Sequence, residues 1–203
     1  MSRNSGRIEI HRSDLWATSI WRVNLSDNNI HPTKTSLNED LLQFVIGEVE
    51  KNPQVIEKSN RGGWQSRADL HKEPALEDLK KQIYDVCKSI FPSMQGLWFQ
   101  QMWAAVNKKG NYNLLHQHGR YMLSGGYYLQ VPENSGKIQF RDPRPGAMAN
   151  WIATNVLRAG EWEGYVPKAS DLMIWPAFLD HQVAPSQSDE DRIMISFDLN
   201  LRF

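Results

Sequence analysis

The 203 residues include one cysteine, Cys87, so no disulfide can form within the chain and a zinc site built on several thiolates is excluded. That usage suits a reducing, cytoplasmic setting. Neither sign of charge prevails: 23 Lys and Arg balance 23 Asp and Glu. Nucleic acid, which calls for a basic field, is therefore not an expected partner. No apolar run approaches the length of a membrane span, and the opening MSRNSGRIEIHR lacks the apolar stretch of a secretion signal. No internal repeat or low-complexity tract divides the chain, and its length suits one well-cored domain. Tryptophan, by contrast, is plentiful at 8 residues, several of them near the stretch that carries the chemistry.

That stretch is NLLHQHGRYMLSGGYY, residues 113 to 128. Side chains at i and i+2 leave the same face of a strand, so His116 and His118 on one strand would offer two imidazoles to one point. A lone histidine is more often a satisfied core residue, but two buried side by side must each find partners, and a shared metal satisfies both. His11 and His31 have no such neighbour and read as exposed polar residues.

Taken in order, residues 8 to 25 mix alternation with β-branched and aromatic residues and predict one or two short strands. From Ser36 the chain predicts a helix: Ser36 and Glu39 match a capping box, and Leu41, Leu42, Val45, Ile46 and Val49 form an apolar stripe that stops before Pro53. Residues 58 to 70 read as a loop around Gly62 and Gly63, with Trp64 either anchoring the loop or rimming a site. Pro74 opens a second helix whose stripe is Leu76, Leu79, Ile83, Val86, Cys87 and Ile90, ending before Pro92. Cys87 lies in that stripe and reads as a small buried residue. Beyond Met94 the pattern turns to strands, at 98 to 106, 123 to 131, 137 to 140, 171 to 175, 181 to 184 and 192 to 201, with turns on Gly110 and on PENSG. Short strands without crossover helices argue for an antiparallel sandwich or barrel. Residues 141 to 170 read as one long irregular loop, and loops of that length in compact domains are usually functional or disordered.

A third histidine, His181, opens a short strand after a Pro-containing turn, and Arg192 follows eleven residues later. By the period of two, Arg192, Met194 and Ser196 share one face of the last strand. In this order of His-x-His, distal His and Arg, the chain from about residue 98 onward resembles the Fe(II)- and 2-oxoglutarate-dependent dioxygenases, in particular their prolyl-hydroxylase-like branch. The resemblance is nearest to a group with a His-x-His, an LSGGYYL run and an SFDLN-like last strand. It implies a mainly β fold, a double-stranded β-helix (jelly-roll or cupin-like) core buttressed by the two N-terminal helices, with 1–93 as supporting elements, 94–203 as the core and 141–170 as a lid. It implies His116, His118 and His181 as metal ligands and Fe(II), 2-oxoglutarate and O2 as cofactor and co-substrates. Arg192 would bind the remote carboxylate of 2-oxoglutarate, a role that suits its planar fork, with Tyr128, Ser196, Ile138 and Asn107 beside it. Tyr127 would face the opposite side and pack.

Hydroxylation of an unactivated C–H bond is the reaction implied, with an amino-acid side chain, in a peptide or free, as the first candidate substrate and with release of succinate and CO2. Arg141, Arg144 and Trp151, on the loop, are candidate substrate contacts. Trp103, Asn107 and Asn113 suit either the pocket or, for the tryptophan, core packing and, for the asparagines, turns. The departure from the family pattern is His118, where most members have a carboxylate; a neutral imidazole there raises the net charge of the site by one unit. A three-histidine zinc site activating water is the first alternative, though it leaves Arg192 and Tyr128 without a role. A non-catalytic cupin-like binding module is the second, but cupins expect a Glu soon after the histidine pair, where this chain has GRYML. An inactive interaction protein is the third, against which stands the complete set of three histidines and Arg192.

Overall fold

The computed structural model describes residues 17–26, 37–144, 146, 155 and 162–203. Two helices, α1 (Leu37–Lys51) and α2 (Glu77–Ile90), join the strands β1 (Trp21–Asn24), β2 (Asn60–Arg61), β3 (Trp64–Gln65), β4 (Gly96–Asn107), β5 (Tyr112–His116) and β6 (Leu123–Gln130). The remaining strands are β7 (Ile138–Arg141), β8 (Trp162–Tyr165), β9 (Asp171–Pro176), β10 (His181–Val183) and β11 (Arg192–Arg202). They form two antiparallel sheets: a major one in the order β1-β9-β6-β11-β4-β3 and a minor one in the order β2-β5-β10-β7-β8. This is the jelly-roll arrangement expected for a double-stranded β-helix.

Alternation along the central strands separates two cores. On the outer face of the major sheet, Met102, Ala104, Tyr127, Ile195 and Phe197 pack with Leu41 and Val45 of α1 and Leu79, Ile83 and Cys87 of α2. Each such fully buried aliphatic side chain contributes about 1.5–3 kcal/mol, which is what docks the helices. Acidic residues open both helices (Glu39 and Asp40; Glu77 and Asp78) and Lys51 and Lys88 close them, in accord with the helix dipole. Between the sheets lies a smaller core of Tyr128, Ile138, Phe140, Met173, Trp175, Leu179 and Met194. Tyr127 and Tyr128 therefore pack on opposite sides of β6, as alternation requires.

Several expectations change. Ile46 lies off the buried stripe of α1, 38% exposed, while Glu48 is buried there beside Lys51 and Arg67. The 58–70 loop contains β2 and β3, two-residue strands that extend the sheet edges by pairing with β5 and β4. Trp64 is a packing anchor: its indole N–H donates to the Asn52 carbonyl at 2.8 Å. Within 141–170, Trp162–Tyr165 is a strand paired with β7 rather than irregular chain. Ser36, residues 8–16 with His11, His31 and Trp151 lie outside the described residues. Cys87 is buried, and burial pushes its thiol up to about 12, so it is inert as a nucleophile. No helix among the described residues is long and apolar enough to cross a membrane.

Candidate metal centre and adjoining pocket

The three histidines converge, by a route other than a shared strand. His116 is the last residue of β5, and its cross-strand partner is His181, the first residue of β10. Direct antiparallel partners stand close enough for their side chains to touch, and the two ring centroids are 4.3 Å apart. His118 lies beyond the end of β5, in the turn to β6, where its backbone N–H donates to the Ala177 carbonyl at 2.8 Å. Its ring stacks on Trp103 of β4 with centroids 5.8 Å apart and planes 8° from parallel. The expectation of two histidines on one strand face is thus corrected: a strand end and a folded-back turn bring them together, and one ligand-capable atom from each ring lies within 4.8 Å of the others.

Each ring is also oriented. Nδ1 of His116 lies 2.7 Å from the Leu114 carbonyl, and Nδ1 of His181 lies 2.9 Å from the Leu179 carbonyl. Nδ1 of His118 lies 2.9 and 3.1 Å from the two carboxylate oxygens of Asp198. Carbonyl and carboxylate oxygens only accept, so in all three rings Nδ1 is the donating nitrogen, and Nε2 is the atom that could face a metal. Burial holds the His181 imidazole down to about 3, with the neighbouring His116 adding to the effect, and burial likewise lowers His116. Both are therefore neutral ligands at ordinary pH.

The floor of the adjoining pocket is one strand face and its neighbours. Arg192, Met194 and Ser196 of β11 stand opposite Asn107, Ala105 and Trp103 of β4. On the other flank, Met194 pairs with Tyr128 and Ser196 with Gly126. Ile138, Val183 and Trp175 close the pocket, a narrow space of about 50 Å³ that reaches all three histidines. Arg192 is 1% exposed, and its guanidinium carbon lies 5.1 Å from the Tyr128 ring centroid. Burial lowers its affinity for a proton and raises that of the Tyr128 phenol.

Buried polar atoms are nearly always paired. Among the described residues seven buried side-chain N and O atoms lack a hydrogen-bond partner, and five belong to this pocket: Asn107 Oδ1, Tyr128 Oη, Trp175 Nε1, and Nε and Nη2 of Arg192. Four of those five can donate a hydrogen. A cluster of unmet donors around a desolvated guanidinium fits a small anion with several acceptor oxygens, as a dicarboxylate has.

With this geometry in hand, the comparisons are informative. Residues 101–198 match the family model described as "Putative 2OG-Fe(II) oxygenase". The chain resembles the 2OG-Fe(II) oxygenases. Among solved structures, a prolyl-4-hydroxylase from Pseudomonas putida is similar at TM-score 0.62 and 14% identity, covering 92% of this chain and 94% of that one. HygX from Streptomyces hygroscopicus, with nickel, 2-oxoglutarate and hygromycin B bound, is similar at TM-score 0.64 and 11% identity, covering 92% and 84%. A prolyl hydroxylase from Trichoplax adhaerens, in complex with a hypoxia inducible factor peptide fragment, is similar at TM-score 0.59 and 16% identity, covering 91% and 83%. At such identities the likeness to the solved structures is one of fold. No curated protein matches the chain.

The residues singled out from sequence divide accordingly. His116, His118, His181, Arg192, Tyr128, Ser196, Ile138 and Asn107 all line the one pocket, as do Trp103 and Asn113. Arg141 and Arg144 instead line a separate outer cavity with Phe140 and Trp162, and Arg144 is ion-paired with Asp142 at 2.6 Å. Two residues escaped sequence reasoning. Trp175 lies on β9 opposite Ser124 and presents its ring edge to His181, with centroids 5.1 Å apart. Asp198 continues the Arg192, Met194, Ser196 face by one more step of two, a signal that was present in the alternation.

Proposed function

We propose that the chain is an Fe(II)- and 2-oxoglutarate-dependent oxygenase that hydroxylates an unactivated C–H bond, on an amino-acid side chain either free or within a peptide. The observation that carries the reading is Arg192, a fully buried guanidinium with unmet donors, in the same pocket as three convergent imidazoles. Nε2 of His116, His118 and His181 would hold the metal, since their Nδ1 atoms are engaged elsewhere. Imidazole is a good ligand for Fe(II), so the three rings would suit that ion. When bound together, Fe(II), 2-oxoglutarate and O2 supply the oxidising power that turns a C–H bond into an alcohol, with succinate and CO2 released.

The chain's own contribution is binding, orientation and exclusion of water. Arg192 would hold the remote carboxylate of the co-substrate bidentately, and the Tyr128 hydroxyl would donate to it. Ser196, Asn107 and the Trp175 indole add polar contacts, while Ile138 and Met194 form the apolar wall. A three-histidine zinc enzyme activating water would leave the buried Arg192 guanidinium and the unmet donors around it without a role.

His116 and His118 also line an open groove of about 650 Å³ on the far side of the centre. The substrate would occupy that groove. Gln65, Gln101 and Gln117 offer amides to a peptide backbone or an amino acid, and Leu114, Leu115 and Tyr121 offer apolar contact. The test is succinate formation from 2-oxoglutarate by protein loaded with Fe(II). Slow turnover without substrate, faster with free amino acids or peptides and abolished by His181→Ala, is expected. Turnover indifferent to that substitution would overturn the reading.

A further inference from the structure

Asp198 sits at the opposite end of the β11 face from Arg192 and is 0% exposed. Its Oδ1 accepts from the Ser124 hydroxyl at 2.6 Å, and both oxygens lie within 3.1 Å of the His118 Nδ1. Ser124 is its cross-strand partner on β6 and Gln101 its partner on β4, so the carboxylate is framed by rigid sheet on both sides. Among the described residues no Lys or Arg pairs with it; its side-chain partners are His118 and Ser124. A buried carboxylate without a cation is expensive to maintain. The cation it faces is the one that His118 would hold on the opposite nitrogen.

We propose that Asp198 is a positioning residue for the metal centre, and that His118 and Asp198 act as a relay which returns to the site the negative charge lost when histidine replaces the usual carboxylate ligand. This rests on the oxygenase reading above. Donation of Nδ1–H to the carboxylate makes Nε2 a more basic ligand and fixes the ring's direction, while the Trp103 stack restrains its tilt. The charges would then balance along one strand face: with a dication and a dianionic co-substrate bound between Asp198 at one end and Arg192 at the other, the four would sum to zero. Neither buried charge has a fixed counter-ion in the chain, and the two ligands together supply one for each.

The test compares wild type with Asp198→Asn, which keeps shape and hydrogen-bonding capacity but removes the charge, and with Ser124→Ala. Co(II) affinity is measured anaerobically by competition with a chromogenic chelator, the cobalt visible spectrum is recorded, and thermal stability is followed in excess EDTA. The expected result is a 10–100-fold loss of Co(II) affinity and an altered cobalt spectrum in Asp198→Asn. A smaller loss, about threefold to tenfold, is expected in Ser124→Ala. Metal-free stability should be unchanged or higher in Asp198→Asn. If Asp198→Asn melts lower without metal while its folded form binds Co(II) with wild-type affinity and spectrum, Asp198 is a structural residue and the inference is overturned. Should Asp198→Asn fail to fold, wild-type affinity in Ser124→Ala overturns it. Wild type that binds no Co(II) overturns the oxygenase reading itself, and the relay with it.

Discussion

Arg192 offers a test in which stability and ligand binding move in opposite directions. Its guanidinium is 1% exposed, Nε and Nη2 have no partner, and its nearest compensation is the face of Tyr128 at 5.1 Å. Replacing a poorly compensated buried charge by an apolar side chain of similar length is commonly neutral or stabilising, by about 1–4 kcal/mol. Arg192→Met should therefore raise the stability of the ligand-free protein by an amount in that range. For a chain of this size each kcal/mol corresponds to about 2–4 °C in Tm. The same change deletes a charge-assisted, bidentate contact to a carboxylate, a loss of about 2–5 kcal/mol. That is a 30-fold to several-thousand-fold rise in the Kd for 2-oxoglutarate. Thermal melts with and without 2-oxoglutarate in Mn(II)-loaded protein read both effects at once. Wild type should gain about 2.7 kcal/mol at a hundredfold excess over its Kd, and the variant, at the same concentration, less than about 1 kcal/mol. A variant that melts several degrees below wild type without ligand, yet is stabilised by 2-oxoglutarate as wild type is, would refute the reasoning.

Three other perturbations have definite expected outcomes. Tyr128→Phe removes one unmet buried hydroxyl, so ligand-free stability should hold or rise while 2-oxoglutarate affinity falls about twofold to tenfold, measured by calorimetry. Gly125→Ala places a methyl 2.3 Å from the Phe197 ring and 2.7 Å from the Met173 carbonyl oxygen, and should destabilise by about 1–3 kcal/mol in urea melts. His181 is held neutral to about 3 in the folded chain, against an ordinary value near 6.5, so the unfolded chain binds the extra proton across that window. Metal-free stability should accordingly fall as pH drops from 6.5 towards 3, by up to about 1.4 kcal/mol per pH unit for this one group. His116 has the same sign, and His181→Gln should flatten the slope; equal slopes in the two proteins would contradict the assignment.

Much of this architecture was legible in the sequence because its signals are local. The stripes of α1 and α2 follow helical spacing, and the alternation of β11 put Arg192, Met194 and Ser196 on the face that the structure turns to the pocket. The order of His116, His118, His181 and Arg192 pointed to one centre, and the three imidazoles do meet. What was not legible depends on partners distant in sequence. β2 and β3 have two residues each and exist through pairing with β5 and β4, which a Gly-Gly stretch gives no hint of. His118 lies off the strand because the Ala177 carbonyl and the Trp103 ring hold the turn in place. The role of Asp198 emerges when β6 and β11 pair and bring Ser124 beside it. Arg141 and Arg144, on the long loop, line a cavity with Phe140 and Leu179, while the groove beside His116 and His118 is built by β5 and the turn after it.

The proposed function requires three imidazoles and a buried arginine to hold Fe(II) and 2-oxoglutarate together in one pocket. Anaerobic titration of the Fe(II)-loaded protein with 2-oxoglutarate, followed by visible absorption, tests it directly in wild type and Arg192→Ala. The account predicts a metal-to-ligand charge-transfer band that saturates with wild type and is sharply weakened in the variant at the same concentrations. Protein that holds zinc tightly and shows no band with Fe(II) and 2-oxoglutarate would contradict the account and point to metal-activated water instead.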